Sequence, residues 1–481
     1  MTTHSLLYRS LPALFFLCLV LLSCLLDFNG LYGQDAHEYL RQSLAVFDRW
    51  QGLPIPPPTI GDSAFAGYFP LLGALLRFIL GDALLALQMV SWLAAALGLW
   101  VFERLLSVLA PGARVDSRWL FALLGLGLSP VFFRAGLCSM SDGPGLALAL
   151  ATFFFGLRTF ENRRISDVLW AAVFGALAIS TRYALAALLL PLAIALAGYL
   201  VFIKKWFGLL ASIGVFGVAL LPHFWHTAGV AENLFGHSSH GLWSVSNFFK
   251  NTFVSSSGVS LQYLLPNILF LFSPIAHPAF CIVLPGMFFL FKKTDLLLPA
   301  KKILLACIGI YLILLGGIPQ QNLRQLLPAY ALLLLLLFPA WDRFYCYGFI
   351  FFRRLTSWLL AGAFVLQLLC LANYLMPILS RSRLERAVGV RLKTVMPTNA
   401  TLYAFDLDVA MRSYLPEVQL RSLWDRHYAE FPAGSFVLFN EALRPQWQDQ
   451  NPILNWDDLK ANYSLELKAE MPEGWSLWEI M

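Results

Sequence analysis

Long apolar runs separated by short polar loops fill the chain up to residue 376, and this alternation sets the fold class. Crossing a bilayer takes roughly 20 apolar residues, and by that measure about eleven candidate helices precede residue 377. They fall at Leu11–Leu26, Leu84–Phe102, a run ending near Phe133, Gly143–Phe155, Val168–Ser180, Ala184–Phe202, a run ending near Pro222, Ile268–Phe291, Ile303–Gly317, Leu326–Phe338 and Trp358–Met376. A further apolar piece, Tyr68–Leu80, is too brief for a crossing and reads as re-entrant or surface-lying. After residue 376 the pattern becomes that of a small soluble unit. A helix is expected around Arg383–Thr394, and strands at Thr401–Phe405, Ser435–Phe439, Leu465–Ala469 and Ser476–Ile480, with turn-forming segments between them. The expected architecture is a mainly α, polytopic membrane domain over 1–376, with outer loops 27–82 and 224–261, followed by an extracytoplasmic α/β domain over 377–481.

The first polar loop, Asn29–Trp50 (NGLYGQDAHEYLRQSLAVFDRW), predicts a helix that starts near Asp35. Residues three and four apart share a helical face, so Asp35, Glu38 and Tyr39 come to one side. Leu40, Leu44 and Phe47 make a separate apolar stripe, the pattern of a helix lying along a membrane surface. The Pro-rich segment Pro54–Pro58 then breaks regular structure.

Composition and charge add orientation to this picture. The chain is 59% hydrophobic and 13% charged, which excludes a soluble protein as a whole. Its net charge of +6 comes from Lys and Arg gathered in loops between spans, so it reports topology and not a nucleic-acid partner. Arg104, Arg114, Arg118, Arg158, Arg163, Arg164, Lys204, Lys205, Lys292, Lys293, Lys301, Lys302, Arg343, Arg353 and Arg354 mark one side. Short cytoplasmic loops carry such an excess. The N-terminus is then cytoplasmic, and an odd number of spans puts the tail outside. Leu11–Leu26 has the length of a secretory signal, but no small-residue cleavage pattern follows it and further spans do. Six of the seven cysteines lie within or beside apolar runs, and no disulfide framework or paired-cysteine metal motif is visible.

Ionisable groups recur at the outer ends of the spans. Besides Asp35 and Glu38 these are Arg134 and Asp142 in FFRAGLCSMSDGPG, Arg182 in STRYA, and Arg324 in IPQQNLRQLLPAY. At membrane depth such groups are costly unless they pair or line a hydrated cavity, which marks them as functional candidates. Each has a plainer reading. Asp35 with Glu38 suits a helix cap with an acidic first turn, Asp142 suits a cap on the next helix, and any one arginine suits an interfacial anchor. His223, His226, His237 and His240 form two pairs spaced by three in one outer loop, a metal-like spacing that only Glu232 could complete. Acceptor or phosphate binding by His237 and His240, or loop packing, fits as well, and no metal or other cofactor is expected. His37 beside Asp35 reads either as a tuner of the base or acceptor contact, or as a surface histidine.

With GLYGQDAHEYL after the first span, SMSDGP in the second outer loop, the Arg-bearing turn QQNLRQLLPAY and an outer α/β tail, the chain resembles the GT-C fold glycosyltransferases. Among them it is most similar to family 39, the protein O-mannosyltransferases and the bacterial aminoarabinose transferase of lipid A. The resemblance implies an enzyme of a bacterial plasma membrane. It would transfer a sugar from a polyprenyl-phosphate donor to an extracytoplasmic lipid, protein or glycan acceptor, with inversion and without a metal. Asp35 matches the family's first-loop catalytic aspartate. Many members follow that residue directly with Glu, whereas here Ala36 and His37 stand before Glu38. A carboxylate within hydrogen-bond reach is a competent general base for an attacking hydroxyl. Arg324, Arg182 and Arg134 are the groups suited to a leaving lipid phosphate, with Asp142, His37, Tyr39, His237 and His240 as further binding candidates. A transporter or flippase of lipid-linked sugars would share the span count, but its ionisable groups belong near the bilayer midplane. A polysaccharide polymerase or ligase remains a third reading.

Overall fold

The computed structural model describes residues 3–53, 66–227, 241–254, 260–281, 284–296 and 298–481. The chain divides into two compact units: Met1–Gly30, Gln42–Phe253 and Gln262–Leu375 form the first, and Leu31–Arg41, Val254–Leu261 and Met376–Met481 the second. The protein is an integral membrane protein, mainly helical, with a small sheet near its C-terminus.

In the first unit, apolar sequence becomes helix where the run is uninterrupted. Helices α1 (Thr3–Leu25), α2 (Gly33–Trp50, of which the second half belongs here), α3 (Tyr68–Leu80) and α4 (Ala83–Leu109) come first. After them come α5 (Val115–Phe121), a π-helical stretch over Ala122–Gly127, and α6 (Pro130–Leu137). The row continues with α7 (Asp142–Asn162), α8 (Ile165–Thr181), α9 (Leu185–Phe202) and α10 (Trp206–Thr227). Among the described residues seven helices are long and apolar enough to cross a membrane, and the pair Val115–Gly127 and Pro130–Leu137, bent by 76°, makes an eighth if it is one span.

The expected span Ile268–Phe291 is not one helix. It holds Pro274, Pro278 and Pro285, each without an N–H to donate, and breaks into α11 (Asn267–Phe270), α12 (Ser273–Ala276) and α13 (Leu284–Leu290). Opened backbone in an apolar surrounding needs substitute partners. Buried amide side chains supply them. Gln367 Nε2 donates to Phe280 O at 2.8 Å and to Leu128 O at 3.1 Å, so one side chain closes two breaks. Val131 N donates to Ala279 O at 3.0 Å, joining the same two breaks through backbone. Helices α14 (Pro299–Gly317), α15 (Leu327–Phe351) and α16 (Arg353–Val395) complete the row. Asn267 Nδ2 donates to Gly316 O and Ile318 O, at 3.1 and 2.8 Å, capping the end of α14. In the basic loop before α14, Arg343 grips Asp295 with two bonds of 2.8 and 2.7 Å, and this pairing holds the Asp295 carboxyl below its ordinary range.

The second half of α2 packs on α3. Gln42 and Ser43 are buried with Val46, and Leu71 and Ala74 of α3 cover Val46. Phe47 meets the Phe78 ring at 4.7 Å and carries the Arg77 guanidinium 4.0 Å above its own. The short run Tyr68–Leu80 is thus the partner of this helix, and α3 also packs on α4.

The helix expected at Arg383–Thr394 is the end of α16, which continues unbroken from the last apolar run. Beyond it the second unit forms a five-stranded sheet from β1 (Thr401–Ala404), β2 (Gln419–Ser422), β3 (Phe436–Asn440), β4 (Leu465–Glu470) and β5 (Trp475–Ile480), in the order β2-β1-β3-β5-β4. Strands β2, β1 and β3 run parallel, whereas β5 is antiparallel to β3 and to β4. Four of the five strands follow the sequence reading. Strand β2 and the helices α17 (Asp408–Tyr414) and α18 (Asn451–Asn462) do not, because QLRS is polar and half-exposed and both helices are short. The core of this unit is aromatic, with the fully buried Trp456 of α18 stacked 4.2 Å from Phe439 of β3. Replacing Trp456 by Ala removes that stack and leaves a cavity, which costs about 3–5 kcal/mol. Chemical denaturation of the full-length protein in detergent should show a lower midpoint, and an equal midpoint would contradict this packing.

Candidate functional site

Three of the residues singled out in the sequence meet in the first unit. Asp142 is the first residue of α7, where a helix N-terminus favours negative charge. Its side chain is 3% exposed and pairs with Arg182, the residue that ends α8, and with Arg324 Nη1 at 3.5 Å. Arg324 sits in the 3-10 turn Leu323–Leu326 before α15. Asn322 fixes that turn, accepting from the Arg324 backbone N at 3.1 Å and from its Nε at 3.3 Å, and Nη1 also reaches Met140 Sδ at 3.0 Å. Arg134, near the end of α6, donates to the Tyr374 hydroxyl at 3.4 Å. Cys138 is buried at the end of the same short helix.

Local geometry explains how separate loops reach one place. Ser139 N donates to Gly30 O at 2.8 Å, tying the segment just after α1 to the segment that leads into Asp142. Gly30 adopts φ +82°, and a Cβ there would lie 2.4 Å from Ser139 Oγ, so neither the backbone nor the space admits another residue.

The cluster sets two arginines, Arg182 and Arg324, against one aspartate. A buried carboxylate is stable only when cations answer it, and Asp142 in turn holds two guanidinium forks in fixed orientation. Guanidinium forks held in a fixed direction match the planar geometry of oxyanions, so the arrangement suits phosphate or carboxylate chemistry. Asn322, Met140 and Tyr374 carried no signal of their own in the sequence, although Asn322 lies two residues before Arg324 in the same turn.

The acidic first turn of α2 belongs to the second unit. Asp35 is half-buried in that turn, at the positive end of the helix dipole. Glu38 is buried and takes a two-pronged bond from Arg41, 2.6 Å to Nη2 and 3.1 Å to Nε. Tyr39 is buried beside it in the chain. His37 is 1% exposed, with Nε2 at 3.0 Å from Glu385 Oε2 and Nδ1 at 2.5 Å from Ser413 Oγ. It is not a surface histidine.

His223 is buried in α10 against the rings of Tyr183 and Phe224. His237, His240 and Glu232 lie outside the described residues. Among the described residues no group of three or more His, Cys, Asp or Glu side chains is placed to hold a metal ion.

No protein-family model matches the chain, and no curated protein matches it in sequence. The fold does match solved structures. ArnT from Cupriavidus metallidurans bound to undecaprenyl phosphate superposes with a TM-score of 0.63 at 13% identity, covering 98% of this chain and 97% of that one. The same protein in the apo state gives 0.60 at 12% identity over the same shares. A likeness this distant in sequence and this complete in length is a likeness of fold: the chain shares the fold of that ArnT along nearly its whole length.

Proposed function

We propose that this protein is an integral membrane glycosyltransferase that moves a sugar from a polyprenyl-phosphate carrier to an extracytoplasmic acceptor with inversion. The observation that carries the reading is the buried Asp142 with Arg182 and Arg324, in a fold shared along nearly its whole length with a protein solved with undecaprenyl phosphate. Arg324 and Arg182 take the carrier phosphate, and Arg134 adds positive charge. Their forks match phosphate oxygens and stabilise the charge that grows there as the bond to the sugar breaks. Asp142 holds both forks in place.

In the second part of the proposal Asp35 is the general base. The acceptor oxygen attacks the anomeric carbon, the carbon–oxygen bond to phosphate breaks with its electron pair, and the acceptor's proton passes to the Asp35 carboxylate. An in-line single displacement inverts the configuration at that carbon. The reaction so written calls on no metal and no other cofactor. Glu38 is taken up by Arg41, which suits a residue that supports the turn and not a second base.

Full-length protein offered a panel of polyprenyl-phosphate sugars, with an acceptor extract from bacterial envelope, should release free polyprenyl phosphate with one of them. No release with any member would overturn the reading. Asp35→Asn keeps the shape of the side chain but not its basicity, and should lower turnover by about a thousandfold or more. Retention of full turnover would move the base elsewhere. Arg324→Ala should raise KM for the carrier or lower kcat/KM by about a hundredfold, and unchanged donor kinetics would remove Arg324 from the phosphate site.

A further inference from the structure

The second unit contains a chain of polar side chains that none of the proposed chemistry uses. It begins at His37, one helical turn into α2. His37 Nε2 lies 3.0 Å from Glu385 Oε2, and the two side chains are 0% and 2% exposed. Arg381, four residues before Glu385 on α16, donates from Nε to Glu385 Oε1 at 2.8 Å. Its two terminal nitrogens go to a single residue beyond β1, Nη1 to Asp406 Oδ2 and Nη2 to Asp406 O, each at 2.7 Å. On its other side His37 Nδ1 meets Ser413 Oγ of α17, and the Tyr414 ring stands edge-on to the imidazole at 5.4 Å.

Two features separate this chain from ordinary packing. Glu385 is an acid with almost no exposure, at a place where an apolar residue would pack without the cost of desolvation. Asp406 adopts φ +61°, a left-handed conformation that is strained for a residue with a side chain, and Arg381 holds both its carboxylate and its carbonyl. Buried polar chains of this kind are directional. They fix an orientation that apolar contact leaves loose.

We propose that His37, Glu385 and Arg381 are positioning residues, which lock the first turn of α2, and with it Asp35, onto the α/β unit through Asp406 and Ser413. His37 is two residues from Asp35 on the same rigid helix, so whatever fixes the imidazole fixes the direction of that turn. The assignment of a catalytic consequence rests on Asp35 as base, whereas the lock itself does not. A base displaced by about 1 Å from its line to the acceptor costs about a hundredfold in rate.

The test uses full-length protein in lipid nanodiscs, as wild type, His37→Asn, Glu385→Gln and Arg381→Lys, with Lys468→Gln as a control on an exposed pair of the same sheet. Hydrogen exchange is read at the amides of Leu31–Arg41 and of Leu327–Phe351. The three variants should speed exchange in Leu31–Arg41 by about tenfold or more and leave Leu327–Phe351 as in wild type, while Lys468→Gln changes neither. Unchanged exchange in Leu31–Arg41 would overturn the lock, and faster exchange in both segments would reduce the chain to a general stabiliser and overturn it equally. With the donor that the carrier panel identifies, kcat should fall about ten- to a hundredfold at a KM within about twofold of wild type. Faster exchange with wild-type kcat would overturn the positioning role. Full activity of Asp35→Asn would instead remove the base assignment, and the exchange result would still decide the lock.

Discussion

An ionised carboxylate that lies almost wholly out of water must be answered by cations, and Asp142 is such a group at the head of α7. Meeting that demand fixes much around it. Arg182 has to end α8 there, the turn before α15 has to present Arg324 there, and Asn322 has to hold that turn. The result is a set of guanidinium groups oriented before any ligand arrives. Preorganised charge of this kind needs no rearrangement when an anion comes in.

The same accounting governs the rest of the membrane unit. Apolar surroundings offer no water to an opened backbone, so every break in a helix must be closed by the protein itself. The Pro-rich stretch after Asn267 and the bend between the π-helical turn and α6 are such breaks. Gln367, Asn267 and the backbone of Val131 close them. Breaks tolerated at this cost are where a membrane protein gains loops inside its apolar unit, and the segment that follows α6 leads through Ser139 to Asp142.

In the second unit the principle is the same but the partners differ. An aromatic core around Trp456 supplies the stability, and the buried acid Glu385 is balanced between His37 and Arg381. Stability and direction thus come from different residues. This division explains how a small α/β unit can carry a polar chain through its interior without losing its core.

The sequence by itself determined the class of the molecule. Uninterrupted apolar runs can only be membrane helices, so α4, α7, α9, α14 and the start of α16 were legible, as were four of the five strands and the tail's α/β character. It also gave Asp142, Arg182 and Arg324 as unusual charges at the ends of spans. It could not say that they meet, because they lie 40 to 182 residues apart along the chain and only helix packing brings them together. Nor could it distinguish the long run Ile268–Phe291 from a span, since hydrophobicity measures transfer into lipid and not whether prolines will be bridged by distant amides. His37 makes the contrast plainest. Its neighbours in sequence leave it open between a tuner of the base, an acceptor contact and a surface residue, whereas its partners, Glu385 and Ser413, lie 348 and 376 residues away, and a contact of that span is a property of the tertiary structure alone.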